Sequence, residues 1–359
     1  MAKKLASDRL LFTAFAALTV VGLVMVYSAS AGLARGEAWN PFFVRQLADA
    51  VVGFGCMVAA MHVPYGTLRE QRVIQLLIAG AVILLLLVLT QPPINGSRRW
   101  FLLGPISVQA SELAKLAVVP FLAYQIDRAN EEVNRREFLV PTLFVLGLIS
   151  ALILAGRDLG STVLLVAVAA ILIFLAGLAW RSVIAAGLML ALLLALGIWG
   201  ADYRRARLLA FLSPESDPLG SGYQALQSLI AIGSGGLFGR GPGESVAKLY
   251  YLPHPESDFI FSIVAEELGL IGSLALLALF GVVLWRGVRA GLRSPDRFGR
   301  YLAWGLTSLI IVQALINVGV AIAILPTKGI PLPFISYGGS SLVVSMTLAG
   351  MLLSVSEHG

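Results

Sequence analysis

Read for runs of apolar residues, the chain shows a repeated pattern of stretches about 17 to 25 residues long, the length that crosses a bilayer. They fall at 10 to 32, 42 to 62, 73 to 91, 111 to 127, 138 to 156, 161 to 179, 182 to 200, 258 to 285, 301 to 325 and 339 to 356. The pattern predicts about ten transmembrane helices and an all-α polytopic membrane protein. One connection departs from the otherwise short ones. Residues 201 to 257 separate helices seven and eight by more than fifty positions, and loops of that length are usually functional or disordered. Apolar stretches within it, Leu208 to Leu212 and Leu226 to Ile232, predict short helices along the membrane surface. With no inverted repeat or low-complexity tract, 1–359 reads as a single transmembrane domain with 201–257 as a large loop inside it.

The charged positions orient these spans. Lys3, Lys4 and Arg9 precede the first apolar run, which is too long for a signal-peptide core and lacks a small-residue cleavage site, so it is read as a retained span. With the N-terminus in the cytoplasm, Arg69, Arg72, Arg128, Arg135, Arg136, Arg181 and the cluster from Arg286 to Arg300 fall on the same side. The opposite short loops hold Arg35, Arg98, Arg99, Arg157 and Lys328. The positive-inside rule then places both termini in the cytoplasm and the long loop on the outer face.

Composition agrees and removes other classes. Hydrophobic residues make up 58% of the chain and charged ones 13%, with a mean hydropathy of +0.87, whereas soluble domains carry about 25% charged residues. The net charge of +6 reports topology rather than a nucleic-acid partner, because no basic run is interleaved with stacking aromatics. Cys56 is the only cysteine, so an intrachain disulfide is excluded, and His62, His254 and His358 show no metal-ligand spacing.

Against this apolar background a few polar stretches carry candidate chemistry. From Tyr251 to Gly269 a proline-marked loop turns at Asp258 into an apolar helix bearing Glu266 and Glu267. Asp258, Ser262 and Glu266 stand at i, i+4 and i+8, a stripe spread over about 12 Å of one helix face. Asp258 reads either as a helix N-cap or as a functional carboxylate, and the crowding of Glu256, Asp258, Glu266 and Glu267 exceeds what capping needs. Arg98 and Arg99, within Asn95 to Trp100, suit a diphosphate or an interfacial anchor. Glu112 and Lys115 lie at i, i+3 at the start of the fourth span, as a structural ion pair or as the lining of a polar cavity in which Lys115 meets an anion. Asp158 follows a tight turn and reads as an N-cap on the same membrane face. The run from Ile324 to Ser341, with three prolines, three glycines and Lys328, implies irregular backbone that is tolerated at membrane depth only when buried in protein or lining a wet cavity. From these residues alone, a transporter and an enzyme are equally served.

Taken in order, Gly-Ser-Arg-Arg-Trp (96–100), Ser-Glu-Leu-Ala-Lys (111–115), Asp-Leu-Gly-Ser-Thr (158–162), Gly-Tyr-Gln (222–224), Gly-Ser-Gly-Gly-Leu-Phe-Gly-Arg-Gly (233–241), Asp-Phe-Ile-Phe (258–261), Glu-Glu-Leu-Gly (266–269) and Leu-Pro-Phe-Ile-Ser-Tyr-Gly-Gly-Ser-Ser (332–341) resemble the SEDS family (shape, elongation, division and sporulation) over nearly the whole chain. The resemblance implies a ten-helix peptidoglycan glycosyltransferase of the bacterial inner membrane that polymerises lipid II on the outer face. It makes Asp258 the essential acid, with Glu112 and Lys115 as the polar pair of a central cavity. Arg98, Arg99, Lys115, Arg240 and Lys328 would hold the substrate diphosphate, and Asp158, Ser262, Glu266 and Glu267 would support the site. No cofactor is certain; a divalent cation, Mg2+ or Mn2+, is a candidate helper at the diphosphate, and its ligands are unknown. The implied partners are lipid II and the nascent glycan, a class B penicillin-binding protein and other elongation-machinery membrane proteins. A lipid II flippase and a non-catalytic scaffold for a penicillin-binding protein are the alternatives. Gln109-Ala-Ser-Glu112 and Gly156-Arg-Asp158 depart from the family's Gln-Pro-Ser-Glu and Gln-Pro-Asp. The short tails favour the rod-shape branch of the family over the division branch.

Overall fold

The computed structural model describes residues 8–32, 40–94, 96–104, 106–130, 132–181, 184, 222–249, 251–326 and 329–357. Its helices are α1 (Arg9–Ser30), α2 (Pro41–His62), α3 (Gln71–Leu89), α4 (Ala110–Ala129), α5 (Arg136–Ala155), α6 (Leu159–Leu175), α7 (Tyr223–Gly235), α8 (Ile260–Arg293), α9 (Arg297–Ala321) and α10 (Gly339–Ser356). Nine of the ten expected spans are therefore helices, eight of them within about four residues of their expected bounds, while α8 runs eight residues past the expected end at 285. The seventh, 182–200, falls almost wholly outside the described residues, as do Leu208 to Leu212 and Lys328. The stretch Leu226 to Ile232 lies inside α7.

Local chemistry explains where several helices begin. Asp8, Asn40 and Asp296 cap α1, α2 and α9 by accepting first-turn N–H groups, and Pro41 opens α2 where no intrahelical donor is needed. Among the described residues seven helices are long and apolar enough to cross a membrane; α6 is shorter at 17 residues, and α4 carries Glu112, Lys115, Asp127 and Arg128. Burial ranks them: about 78% of the α10 span and 61% of the α9 span lie inside the protein, but only 22% of α2, α3 and α5. α9 and α10 thus form the centre, with α9 packed on α4, α6 and α8, and α10 packed on α2. Exposed Val51, Leu76, Phe144 and Val140 form the outward apolar surface that lipid would cover.

Two local features were not expected. A short antiparallel hairpin, β1 (Trp100–Leu103) with β2 (Ile106–Gln109), pairs Trp100 with Gln109 immediately before α4 and turns at Gly104, φ +62°. It folds the arginine pair back against the start of α4, where the Ala110 N–H donates to the Arg99 carbonyl at 3.2 Å. The second feature lies in α8, which breaks at Gly269 (φ 67°, ψ −166°). A break frees backbone groups that must find partners inside a membrane protein. The glycine-rich segment after α7 supplies them. Arg240 N and Gly241 N donate to the carbonyls of Glu266 and Glu267, and Leu270 N and Ile271 N donate to those of Gly236 and Leu237. A Cβ at Gly239, itself at φ +80°, would run into the Glu267 carbonyl. This close approach accounts for the glycine run.

Candidate functional site

The hairpin, the starts of α4, α6, α8 and α10, and the end of α9 meet at one end of the bundle. There Asp158 caps α6 through the Ser161 N–H at 3.1 Å, and its other oxygen accepts from Gln109 Nε2 (2.8 Å), Ser111 Oγ (2.7 Å) and Ser161 Oγ (2.8 Å). Arg99 lies 3.8 Å away. Burial by itself would raise the Asp158 carboxyl, but the hydrogen bonds from Ser111 and Ser161 and the Arg99 charge outweigh it and hold the group below the usual Asp range. Arg98 is separated from this knot. Its guanidinium donates to the Leu89 carbonyl at 3.2 Å, so the two adjacent arginines do not act as one fork.

One step further in, Lys115 pairs with Glu112 at 2.7 Å and donates to Gln313 Oε1 at 2.8 Å, all three being buried. Glu112 Oε2 has no hydrogen-bond partner among the described residues. From α9, Gln313 Nε2 donates to the Pro331 carbonyl (2.9 Å), and Asn317 Nδ2 donates to the carbonyls of Ile330 (2.8 Å) and Asp258 (3.0 Å). Two amides thus link the ion pair to the backbone beside Asp258.

Asp258 itself does not cap α8. The helix starts at Ile260 from Phe259 without a side-chain cap, so the capping alternative fails and the expected stripe shortens to Ser262 and Glu266. The Asp258 carboxyl is half-buried against Gly329. Burial pushes it above the usual Asp range, more than His254, Arg99 and Ser257 pull it down. Glu256, two residues earlier, is also raised, by burial first, and its Oε2 has no partner among the described residues.

The other expected carboxylates belong to a different constellation. Ser262 meets Ser228 of α7 at 2.6 Å. Glu266 accepts from Ser245 Oγ (2.6 Å), Val246 N (3.1 Å), Ala247 N (3.2 Å) and Ser234 Oγ (3.3 Å), with Arg240 at 3.7 Å. Glu267 pairs with buried Lys248 at 2.9 Å and accepts from Ser28 of α1 and Gly243 N. Arg240 is therefore placed beside Glu266 at the helix break, and Lys328 lies outside the described residues.

Sequence reasoning missed Gln109, Lys248, Gln313 and Asn317. For the last two a signal existed: amides at i, i+4 within an apolar span. For Lys248 none did. Among the described residues no three His, Cys, Asp or Glu side chains come together as a metal cage. Glu256 and Asp258 offer two carboxylates, a set suited to an ion that keeps water and substrate oxygens in its sphere.

An all-helical membrane bundle with a raised carboxylic acid at its polar end, cations close by and a buried ion pair beneath it belongs to the class of multi-pass membrane proteins built around an internal polar site. Residues 8–359 match the cell cycle protein family FTSW_RODA_SPOVE, and the chain belongs to it. It is 42% identical over 350 residues to the probable peptidoglycan glycosyltransferase FtsW of Geobacter sulfurreducens, spanning 95% of this chain and 93% of that protein. A solved structure on the structural coordination of polymerization and crosslinking by a peptidoglycan synthase complex superposes with a TM-score of 0.81 at 31% identity, covering 98% of both chains. The rod shape determining protein RodA of Thermus thermophilus gives 0.71 at 28% identity, covering 98% of this chain and 97% of that one. These names span the division and rod-shape branches, so the preference for the rod-shape branch gains no support from them.

Proposed function

We propose that this chain is a peptidoglycan glycosyltransferase that polymerises lipid II, with Asp258 as general base. The observation that carries the assignment of Asp258 is its setting: a carboxyl that caps no helix, is raised by burial, and stands within reach of the Arg99 charge. A base tuned upward toward the working pH is the better proton acceptor. The acceptor's GlcNAc 4-hydroxyl gives its proton to Asp258 as the oxygen bonds to the anomeric carbon of the donor MurNAc. The bond from that carbon to undecaprenyl diphosphate breaks, and the leaving group takes the electron pair. A single displacement of this kind inverts the anomeric centre.

Positive charge for the diphosphate comes from Arg99 and Lys115, with Arg98 at the rim; Lys328 and Arg240 are further candidates. A divalent cation would use Asp258 and Glu256 and would help neutralise the leaving diphosphate. In this reading both termini are cytoplasmic and the site opens at the outer face of the bacterial inner membrane. The arginine-rich turn from Arg286 to Arg300 lies at the far end of α8 from Asp258, which supports that orientation. A class B penicillin-binding protein supplies the crosslinking activity, and other wall-synthesis membrane proteins complete the assembly.

The test is lipid II polymerisation by the purified full chain, with and without its penicillin-binding partner, with and without EDTA. Wild type makes glycan strands and Asp258→Asn makes none. A well-folded Asp258→Asn protein that polymerises at the wild-type rate removes the base assignment. Lipid moved between leaflets without new glycosidic bonds indicates a flippase instead, and neither activity indicates a scaffold.

A further inference from the structure

Gln313 and Asn317 stand one turn apart on α9, both buried, so they present their amides to the same neighbours. A primary amide inside a membrane helix is costly unless its groups are used. These two are spent on main-chain carbonyls. Asn317 gives both hydrogens away, one to Ile330 O and one to Asp258 O, and Gln313 gives one to Pro331 O while accepting from Lys115 Nζ. The segment 329–331 is neither helix nor strand, so its carbonyls have no ladder to satisfy them and the α9 amides stand in for one.

The other side of the contact is equally ordered. Three consecutive carbonyls of the loop bearing the candidate base are each held from outside: Glu256 O by Tyr337 N at 2.8 Å, Ser257 O by Ser336 Oγ at 2.6 Å, and Asp258 O by Asn317 at 3.0 Å. Ser336 Oγ in turn accepts from Leu332 N at 2.7 Å. The 329–337 segment is thereby laid along 256–258, with Gly329 so close that a Cβ there would stand 2.9 Å from Asp258 Oδ2.

We propose that Gln313 and Asn317 are positioning residues, a two-amide clamp that holds the 329–331 backbone over the Asp258 carboxyl and ties it to the Glu112–Lys115 pair. Through Gln313 the Lys115 ammonium and the Pro331 carbonyl share one side chain, so the cation and the base keep a fixed separation. Neither amide touches the reacting atoms; they set the place of the groups that do. This rests on the polymerase reading for its catalytic consequence, but the clamp itself is a statement about backbone order.

The test uses the full chain in lipid nanodiscs, with hydrogen exchange across 329–338 and lipid II polymerisation kinetics. Asn317→Leu and Gln313→Met should speed exchange in that peptide by about tenfold or more while leaving α1 and α10 unchanged, since the loss is local. They should lower kcat by about 10- to 100-fold, the scale of a displacement near 1 Å, with KM changed less than about threefold. Faster exchange confined to 329–338, together with a fall in kcat at nearly constant KM, separates lost positioning from a simple loss of folded protein, which would speed exchange in α1 and α10 as well. Gln313→Met, which removes the donor to Pro331 and leaves the Glu112–Lys115 pair in place, decides the matter should Asn317→Leu unfold the whole bundle. Wild-type exchange at 329–338 in Gln313→Met, or a wild-type kcat in that variant, overturns the clamp. If wild type makes no polymer the polymerase reading falls, and exchange at 329–338 alone decides the clamp.

Discussion

Two carboxylate sites lie eight residues apart at the start of α8 and are built in opposite ways. At Glu266 and Glu267 the carboxylate oxygens are surrounded by donors: Ser234, Ser245, Val246 N and Ala247 N on the first, Ser28, Lys248 and Gly243 N on the second. At the Asp258 end, Glu112 Oε2, Glu256 Oε2 and Asn317 Oδ1 are buried without a partner among the described residues. The first arrangement spends its polarity on holding the chain together. The second leaves acceptors open, which is unfavourable in a resting protein and, under the function proposed above, leaves them free for substrate hydroxyls. The two carboxylate groups on either side of Ser262 thus differ in how far their oxygens are satisfied.

Substitutions can break or sharpen that contrast. The largest effect expected is on rate: Asp258→Ala should lower lipid II polymerisation by about 10²- to 10⁴-fold, the range for loss of a general base, measured by glycan product formation. Its thermal stability should hold. Glu267→Ala should do the reverse, costing about 3–5 kcal/mol because Lys248 is left charged and unpaired in the interior, read by thermal denaturation in detergent. Gly239→Ala, which forces a side chain into a positive φ and against the Glu267 carbonyl, should cost about 2 kcal/mol or more by the same measurement.

The smallest effects are those of pH. Burial raises Asp258, so its ionised fraction, and with it the rate, falls as pH drops through that raised value, above the ordinary Asp range. A raised carboxyl also weakens the fold as pH increases through the folded-state value, because the charge is better solvated in the unfolded chain. Asp258→Asn should therefore be slightly more stable than wild type at neutral pH while inactive. Asp158 has the opposite sign. Held below the usual range, it contributes stability that is present above the unfolded value and lost as pH falls through its depressed one, and Asp158→Asn should flatten the acid side of the melting-temperature curve.

How much of this the sequence reveals depends on the range of the interaction. Helices such as α1 and α10 were legible because apolar length is a property of one segment, and the Glu112–Lys115 contact because i, i+3 neighbours meet on any helix. Asp158 as an N-cap was legible for the same local reason. The hairpin was not, since four-residue strands carry too little alternation to register. The parting of Arg98 from Arg99, and the placing of Arg240 beside Glu266, follow from long-range packing that no spacing encodes. Gln313 and Asn317 were visible as polar residues in an apolar span; their partners were carbonyls of a distant loop, and backbone groups leave no mark in side-chain patterns.

The break at Gly269 also works as a ruler. Leu270 to Arg293 extends about 36 Å at 1.5 Å per residue, enough for a hydrocarbon layer near 30 Å, and the turns from Ile260 to Leu268 add about 13 Å more. Beyond the break Leu270, Ile271 and Leu274 are exposed, whereas Ile260 to Glu267 are all enclosed by protein. On α8, exposed apolar side chains thus begin at the glycine, while the turns before it are walled in by protein. A single residue divides one helix into a length sufficient to cross a hydrocarbon layer and an enclosed stem that carries Asp258 just beyond its tip.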